Sequence, residues 1–251
     1  MSEAMDAEFD TVAEWTAQVA EDLGPEYHIP GACRGSGSPR ALDWLIDRMA
    51  LTSGQVLLDV GAGVGGPAAY AAQQITVRPV LVEPEPGACR AARRLFDLPV
   101  VCGLGTALPM ADLSCDAAWS LGVLCTTPDQ LMLLKELRRT VRGGGPIGLL
   151  VFVARRPLPG DQLPDNHFPT KAGLIELVNE ASLEVEVWHS TADLPEVPAI
   201  WNEREAAVAD ALTARHAHTR AWQLAEEQSG TIGRLLEDGT LTGEMLILRH
   251  T

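Results

Sequence analysis

The segment Asp59-Val-Gly-Ala-Gly-Val-Gly-Gly66 joins an apolar run, Gln55-Val-Leu-Leu-Asp-Val60, to an alanine-rich stretch opened by Pro67. A glycine-rich turn between a strand and a helix does two things. It lets backbone approach a ligand where a side chain would clash, and it aims the unpaired N–H groups of the helix N-terminus at that ligand. Gly61, Gly63 and Gly66 satisfy the G-x-G-x-x-G spacing, which taken alone also fits a plain loop. Glu83 closes the next apolar run, Pro79-Val-Leu-Val-Glu83, where an acid can accept hydrogen bonds from both hydroxyls of a ribose. This is the chemistry of a nucleoside-bearing cofactor, either a dinucleotide or S-adenosylmethionine. The first needs its pyrophosphate held. The second brings an amine, which Asp59 can pair with directly or through water, and a carboxylate for the loop N–H groups.

These groups need a scaffold, and the chain alternates strand and helix patterns to supply one. After the strand at 55–60 and the helix opened by Pro67 come a strand at 79–83 and a helix from Gly87 to Phe96. Strands follow at Pro99–Cys102 and Cys115–Ser120. Leu131, Leu134, Leu137 and Val141 give a helix over 129–141, ended by Gly143-Gly-Gly145 before a fifth strand, Ile147–Val153. Such repeats imply a parallel sheet with helices on both faces. Upstream, Phe9, Val12, Thr16, Val19 and Leu23 mark an amphipathic helix over 6–22. A Gly/Pro/Ser-rich loop, His28–Pro39, leads into a helix carrying Leu42, Leu45, Ile46 and Met49. Downstream, the prolines at 157, 159, 164 and 169 mark a loop. A helix at 170–181, a strand at 183–188, a largely helical stretch at 199–228 and a closing strand at 241–249 complete the pattern. The expected fold is α/β: a Rossmann-like, doubly wound, mostly parallel seven-stranded sheet with helices on both faces and a helical cap. Residues 1–50 read as N-terminal helices and a lid loop, 51–154 as the cofactor-binding core, and 155–251 as the end of the sheet with a cap at about 195–238, all one structural domain.

Four stretches together carry a family resemblance: Val56-Leu-Leu-Asp-Val-Gly-Ala-Gly-Val-Gly-Gly-Pro-Ala68, Val82-Glu-Pro84, Ala107-Leu-Pro-Met-Ala-Asp-Leu-Ser-Cys-Asp-Ala-Ala118 and Leu134-Lys-Glu-Leu-Arg-Arg-Thr-Val-Arg-Gly-Gly-Gly145. Over about residues 55–153 the chain resembles the Rossmann-like (class I) S-adenosylmethionine-dependent methyltransferases, in the branch that methylates small molecules in ubiquinone and natural-product biosynthesis. The resemblance implies that Gly61, Ala62, Gly63 and Gly65 wrap the methionine moiety, that Glu83 binds the ribose and that Pro84 flanks the adenine. It also places Leu121 under the cofactor. Relatives often carry an acid that bonds the adenine amino group. Here Leu104-Gly105-Thr106 occupies that region, which leaves backbone, Thr106 or packing to hold the ring. Tyr27 and Arg34 are candidates to reach the cofactor from the N-terminal loop, since a tyrosine ring face attracts a cation.

Methyl transfer from a sulfonium depends chiefly on alignment, and a general base is needed only when the nucleophile must lose a proton. Many relatives carry His-His after the fourth strand, where this chain has Cys125-Thr126-Thr127. Of the remaining histidines, His167 and then His28 lie in loops expected over the carboxyl edge of the sheet, and they are the catalytic candidates. Trp188, Trp201, Trp222 and Phe168 are apolar candidates for lining or supporting a cap. The expected reaction is methylation of a small organic molecule in secondary metabolism. The alternative is a methyltransferase fold that binds the cofactor but catalyses a cyclisation or rearrangement, or serves a binding role.

Composition narrows the partners. A net charge of -15 repels a phosphate backbone, and Arg90, Arg93 and Arg94 have the spacing of a solvated helix face, so nucleic acid is not an expected partner. No Asn-Pro-Pro-Tyr segment follows the fourth strand, which disfavours DNA adenine or protein glutamine as acceptors. No apolar run suits a membrane span, and the acidic N-terminus lacks the regions of a signal peptide, so a cytoplasmic protein is expected. Five cysteines without a Cys-x-x-Cys pair argue for reduced structural thiols and against a metal site; Cys102 and Cys115 fall in expected strands as small hydrophobes. A homodimer is compatible with the sequence.

Overall fold

The computed structural model describes residues 7–35, 37–158, 163 and 165–251. Residues 1–6, Ser36, Pro159 and Pro164, on which parts of the reading above fall, lie outside them. Seven strands form one sheet: β1 (Val56–Val60), β2 (Arg78–Glu83), β3 (Val100–Cys102), β4 (Ala117–Leu121), β5 (Ile147–Ala154), β6 (Leu183–Ser190) and β7 (Leu241–His250). Their order is β3-β2-β1-β4-β5-β7-β6. β1 to β5 pair in parallel, whereas β7 runs antiparallel to both β5 and β6, so the sheet is mixed. The strands on either side of β1, β2 and β4, put their carboxyl ends beside its own. This is the switch point at which the strand order reverses and a crevice opens.

Nine α-helices are described: α1 (Ala13–Leu23), α2 (His28–Ala32), α3 (Pro39–Arg48), α4 (Gly66–Ile75), α5 (Pro86–Phe96), α6 (Gln130–Thr140), α7 (Lys171–Glu180), α8 (Ala199–His216) and α9 (Arg220–Glu237). One apolar layer on the sheet contains Leu58, Leu134, Leu137 and Leu149. The other contains Leu42, Leu45, Leu57 and Trp119. Both faces are thus covered, which is why the central strands read as continuous apolar runs.

Four local expectations change. The first helix begins with a π-helical turn, Ala7–Val12, before it settles into α1. The supposed loop 28–39 contains the short helix α2, closed where the Cys33 N–H donates to the carbonyls of Ile29 and Pro30. The arginine stripe on α5 is not simply solvated. Arg90 pairs with Glu14 and Arg94 with Glu21, both on α1, while Arg93 donates to the Val100 carbonyl at 2.5 Å. α1 therefore lies along α5. Cys115 is buried, as expected of a small hydrophobe, but Cys102 is exposed. No helix among the described residues is long and apolar enough to cross a membrane.

The loop between β3 and β4 is tied down by Arg139 of α6. Its guanidinium donates to the carbonyls of Leu108 and Met110 and to the carboxylates of Asp112 and Glu136, at 2.7–3.0 Å. Glu136 in turn accepts the Leu108 N–H at 2.7 Å. Because two carbonyls would lose their donor, Arg139→Ala is expected to destabilise the protein by about 2 kcal/mol in denaturant titration. Arg139→Lys recovers only part of this, because an ammonium lacks the planar fork. A midpoint within error of wild type for Arg139→Ala would refute the assignment.

Candidate functional site

The glycine turn follows β1 directly. Gly61 and Gly63 hold φ of +71° and +53°, the left-handed region that favours glycine. They do so for different reasons. A Cβ on Gly61 would sit 2.3 Å from Val123 Cγ2, so that position is closed by packing. A Cβ on Gly63 would meet no protein atom within 4 Å, so that position faces open space. The loop is fastened from the side by Glu83, whose Oε2 accepts the Gly63 N–H at 2.8 Å while Oε1 accepts the Glu85 N–H at 3.1 Å. Each oxygen retains a second lone pair for a ligand hydroxyl.

Beneath the loop, Asp59 pairs in register with Leu81 on one side and Trp119 on the other. It is buried, and its Oδ2 has no hydrogen-bond partner among the described residues. The Trp119 indole N–H is likewise unpaired, so although it lies close enough to favour the ionised carboxylate, it does not satisfy that oxygen. Burial pushes the Asp59 carboxyl up to about 7, with Glu83 adding to the rise. Burial also raises Glu83 to about 7, against the two backbone N–H groups that favour its ionised form.

A cavity of about 350 Å³ opens beside this turn. Gly61, Glu83, Pro84, Leu121 and Gly122 form one end. The far wall comes from outside the core: Glu8 and Phe9 of the π-helical turn, Arg34 and Gly35 after α2, and one face of α9. That face carries Ala225, Gln228, Ser229, Ile232 and Leu236, the spacing of a single helical stripe. Val123, Cys125, Thr126, Phe152 and Asn166 complete the lining. Arg34 joins three of these segments. It pairs with Glu8 at 3.3 Å and Glu226 at 3.2 Å, and its guanidinium lies 5.3 Å from the Trp222 ring centre. Glu8 Oε2 is buried without a partner, and burial raises that carboxyl although Arg34 opposes the rise. The turn bearing Glu8 is held over the sheet edge by Asp10, which accepts the Gly87 N–H at 2.5 Å.

Several expected residues are elsewhere. His28 stands edge-on to Phe96 at 6.4 Å, outside the cavity lining. His167 is exposed and also outside it. Its backbone is what the fold uses, the N–H donating to the Cys125 carbonyl at 2.7 Å and the C=O accepting from Gln130 at 2.6 Å. That anchoring presents the neighbouring Asn166 to the cavity instead. Tyr27 packs against the cluster of Val12, Val19 and Trp222 rather than lining the cavity. Leu104 is exposed, Gly105 lies against Leu133, and neither they nor Thr106 line it. Trp188, Trp201, Trp222 and Phe168 are absent from the lining as well; the aromatic walls are Phe9 and Phe152. Cys125, where relatives carry histidine, is a buried thiol pushed up to about 12 and donates to the Gly122 carbonyl at 3.3 Å.

Residues 58–149 match the family model described as a methyltransferase domain. The chain has the class I S-adenosylmethionine-dependent methyltransferase fold. Among curated relatives, methyltransferase GfsG of Streptomyces halstedii is 32% identical over 126 residues, covering 47% of this chain and 45% of that one. The chain thus spans about half the length of the curated relatives it matches. Among solved structures, the [4+2]-cyclase SpnF superposes with a TM-score of 0.66 at 22% identity, covering 84% of this chain and 80% of that one. A methyltransferase from Geobacter sulfurreducens, in complex with S-adenosylhomocysteine, superposes with a TM-score of 0.62 at 17% identity, covering 85% and 92%. S-adenosylmethionine is the cofactor this methyltransferase fold implies, and the residues fit it. The unpaired Asp59 oxygen suits an ammonium, the space over Gly63 admits a ligand, and Glu83 offers two acceptors beside Pro84.

Proposed function

We propose that this chain transfers a methyl group from S-adenosylmethionine to a small, largely apolar organic molecule. The observations that carry the reading are the turn after β1, where a Cβ on Gly63 would meet no protein atom within 4 Å, the buried Asp59 Oδ2 with no hydrogen-bond partner among the described residues, and the cavity that Gly61 and Glu83 border. Bound there, S-adenosylmethionine supplies an activated methyl group, which forms a bond to the acceptor's lone pair as its carbon–sulfur bond breaks and that electron pair stays on sulfur. Asp59 takes the amine, Glu83 the ribose, Pro84 one face of the adenine, and Leu121 the floor; the 61–65 turn packs along the methionine chain, since the N–H groups of Gly61, Ala62, Gly63 and Gly65 are already donated to Val82, Glu83 and Ala62. Residues 51–154 act as the cofactor-binding core, with residues 1–50 and the segment at about 195–238 covering it as lid and cap.

The acceptor occupies the far end, between Phe9, Phe152, Ile232 and Leu236. Such walls with few polar groups suit an apolar compound and exclude water from the displacement. Where the acceptor must lose a proton, Glu8 takes it. Both oxygens of Glu83 already hold backbone N–H groups, whereas Glu8 Oε2 is unpaired, and no histidine lines the wall among the described residues.

The apolar wall also favours a second reading, in which the pocket folds a flexible substrate into a cyclisation, the activity named for SpnF. The test is incubation of the chain with methyl-labelled S-adenosylmethionine and a small-molecule extract of the host. Protein-dependent label in an organic-soluble product is expected. Bound cofactor with no label in any product would overturn methyl transfer and leave the second reading.

A further inference from the structure

We infer that Cys89 and Cys102 form a reversible disulfide site whose state sets the affinity of the adenosine end of the cofactor crevice. The two residues belong to different elements that meet at the end of β2. Cys89, 3% exposed, sits in the first turns of α5 and donates its thiol to the Glu83 carbonyl at 3.2 Å. Cys102 ends β3, pairs in register with Glu83, and donates its thiol to the Pro84 carbonyl at 3.3 Å. The thiols thus sit on consecutive carbonyls and interact with each other as well, the Cys102 thiol adding to the rise that burial imposes on Cys89. One is buried and the other open to solvent. An exposed thiol that oxidants reach, backed by a second thiol able to resolve the product, is the arrangement for reversible oxidation.

The oxidant is hydrogen peroxide. The Cys102 sulfur attacks it, the O–O bond breaks, one oxygen stays on sulfur as sulfenic acid, and the other leaves as water with the thiol proton. The Cys89 sulfur then attacks the Cys102 sulfur, the S–S bond forms, the S–O bond breaks, and a second water carries away the Cys89 proton. One peroxide and two thiols give one disulfide and two waters. Closing the bond brings the sulfurs to about 2.05 Å and removes both S–H donors. The carbonyls of Glu83 and Pro84 lose those partners, and α5 is drawn toward the end of β3. The Glu83 side chain holds the Gly63 N–H, so a shift at this corner reaches the glycine turn.

The disulfide itself stands on this geometry alone; its effect on the cofactor rests on the function proposed above. The full chain is treated with hydrogen peroxide, alkylated without reductant, digested and analysed by mass spectrometry. S-adenosylhomocysteine is titrated by calorimetry before oxidation, after it, and after dithiothreitol. The expected result is a Cys89–Cys102 cross-linked peptide and an affinity about tenfold weaker, the loss of roughly one hydrogen bond to a charged group, restored by dithiothreitol. Cys102→Ser is expected to keep the reduced-state affinity and lose the response to peroxide, and Cys89→Ala to yield Cys102 sulfinic acid without the cross-link. Sulfinic acid on Cys102 of the wild type without a cross-link would overturn the site. A cross-link that leaves affinity unchanged would overturn its coupling to the cofactor. Reduced protein that binds no S-adenosylhomocysteine would refute that coupling together with the cofactor reading, while the cross-linked peptide still decides the site.

Discussion

Gly63→Leu is expected to abolish cofactor binding while leaving the protein folded. A side chain at position 63 grows into space that no protein atom occupies within 4 Å, the space assigned to the methionine end of the cofactor. Its cost to the fold is the backbone strain of a non-glycine residue at φ +53°, about 1–2 kcal/mol. Its cost to binding is the whole site. Affinity for S-adenosylhomocysteine should fall by more than about 100-fold, the equivalent of roughly 3 kcal/mol. Gly61→Ala supplies the contrast. There the new Cβ lands 2.3 Å from Val123 Cγ2, so either the 59–66 turn or the 121–126 segment must move. The main loss should then be thermal stability, of about 2–3 kcal/mol, as for overpacked positions. Thermal melting alongside calorimetry separates the two. Full affinity in Gly63→Leu would refute the assignment of the loop, and a Gly61→Ala variant as stable as wild type would refute the packing role of Gly61.

The second large effect concerns Asp59 and pH. Its folded-state carboxyl lies at about 7 against an ordinary 3.8, chiefly through burial, and Glu83 lies at about 7 against 4.5. An acid raised on folding binds its proton more tightly in the native state than in the unfolded chain. Its contribution to stability is therefore fully present below about pH 4 and is lost as pH rises through 7. The ligand-free protein should lose stability between pH 5.5 and 8, on the order of 3 kcal/mol from these two carboxylates together. Asp59→Asn removes one of the buried charges. It should flatten that pH profile and melt higher than wild type at pH 8, yet bind S-adenosylhomocysteine about 10- to 100-fold more weakly, because an amide cannot pair with the ammonium as a carboxylate does. Opposite signs on stability and binding are expected of a residue kept for function. An Asp59→Asn variant that melts lower than wild type at pH 8, or that binds with unchanged affinity, would contradict this role.

The parts legible in the sequence were those fixed by local rules. The run Val56–Val60, broken only by Asp59, is apolar on both faces because β1 is buried on both. Glycines at 61 and 63 mark the left-handed turn, and Asp129 marks the start of α6, where it accepts the Met132 N–H at 3.1 Å. What escaped depends on tertiary placement. Nothing local in Leu241–His250 states that β7 inserts antiparallel between β5 and β6, since strand direction is decided by where the chain returns. His167 lies in a loop that reaches the crevice, but the loop is tied through its backbone at 167, and Asn166 faces inward. Glu8 and Phe9 were hidden by an N-terminal π-helical turn that the apolar stripe of α1 does not forecast. Ala225, Ser229, Ile232 and Leu236 recur along α9 at helical spacing, an apolar and small-residue face that matches the crevice.

The central claim is that the crevice at the β1 turn binds S-adenosylmethionine, and calorimetric titration of the full chain with S-adenosylhomocysteine, run in parallel on Gly63→Leu, tests it most directly. The account predicts saturable one-to-one binding to the wild type, accompanied below pH 7 by proton release as the ligand's ammonium lowers the Asp59 carboxyl, and no binding to the variant. Absence of binding to the wild type, or equal binding to both, would contradict it.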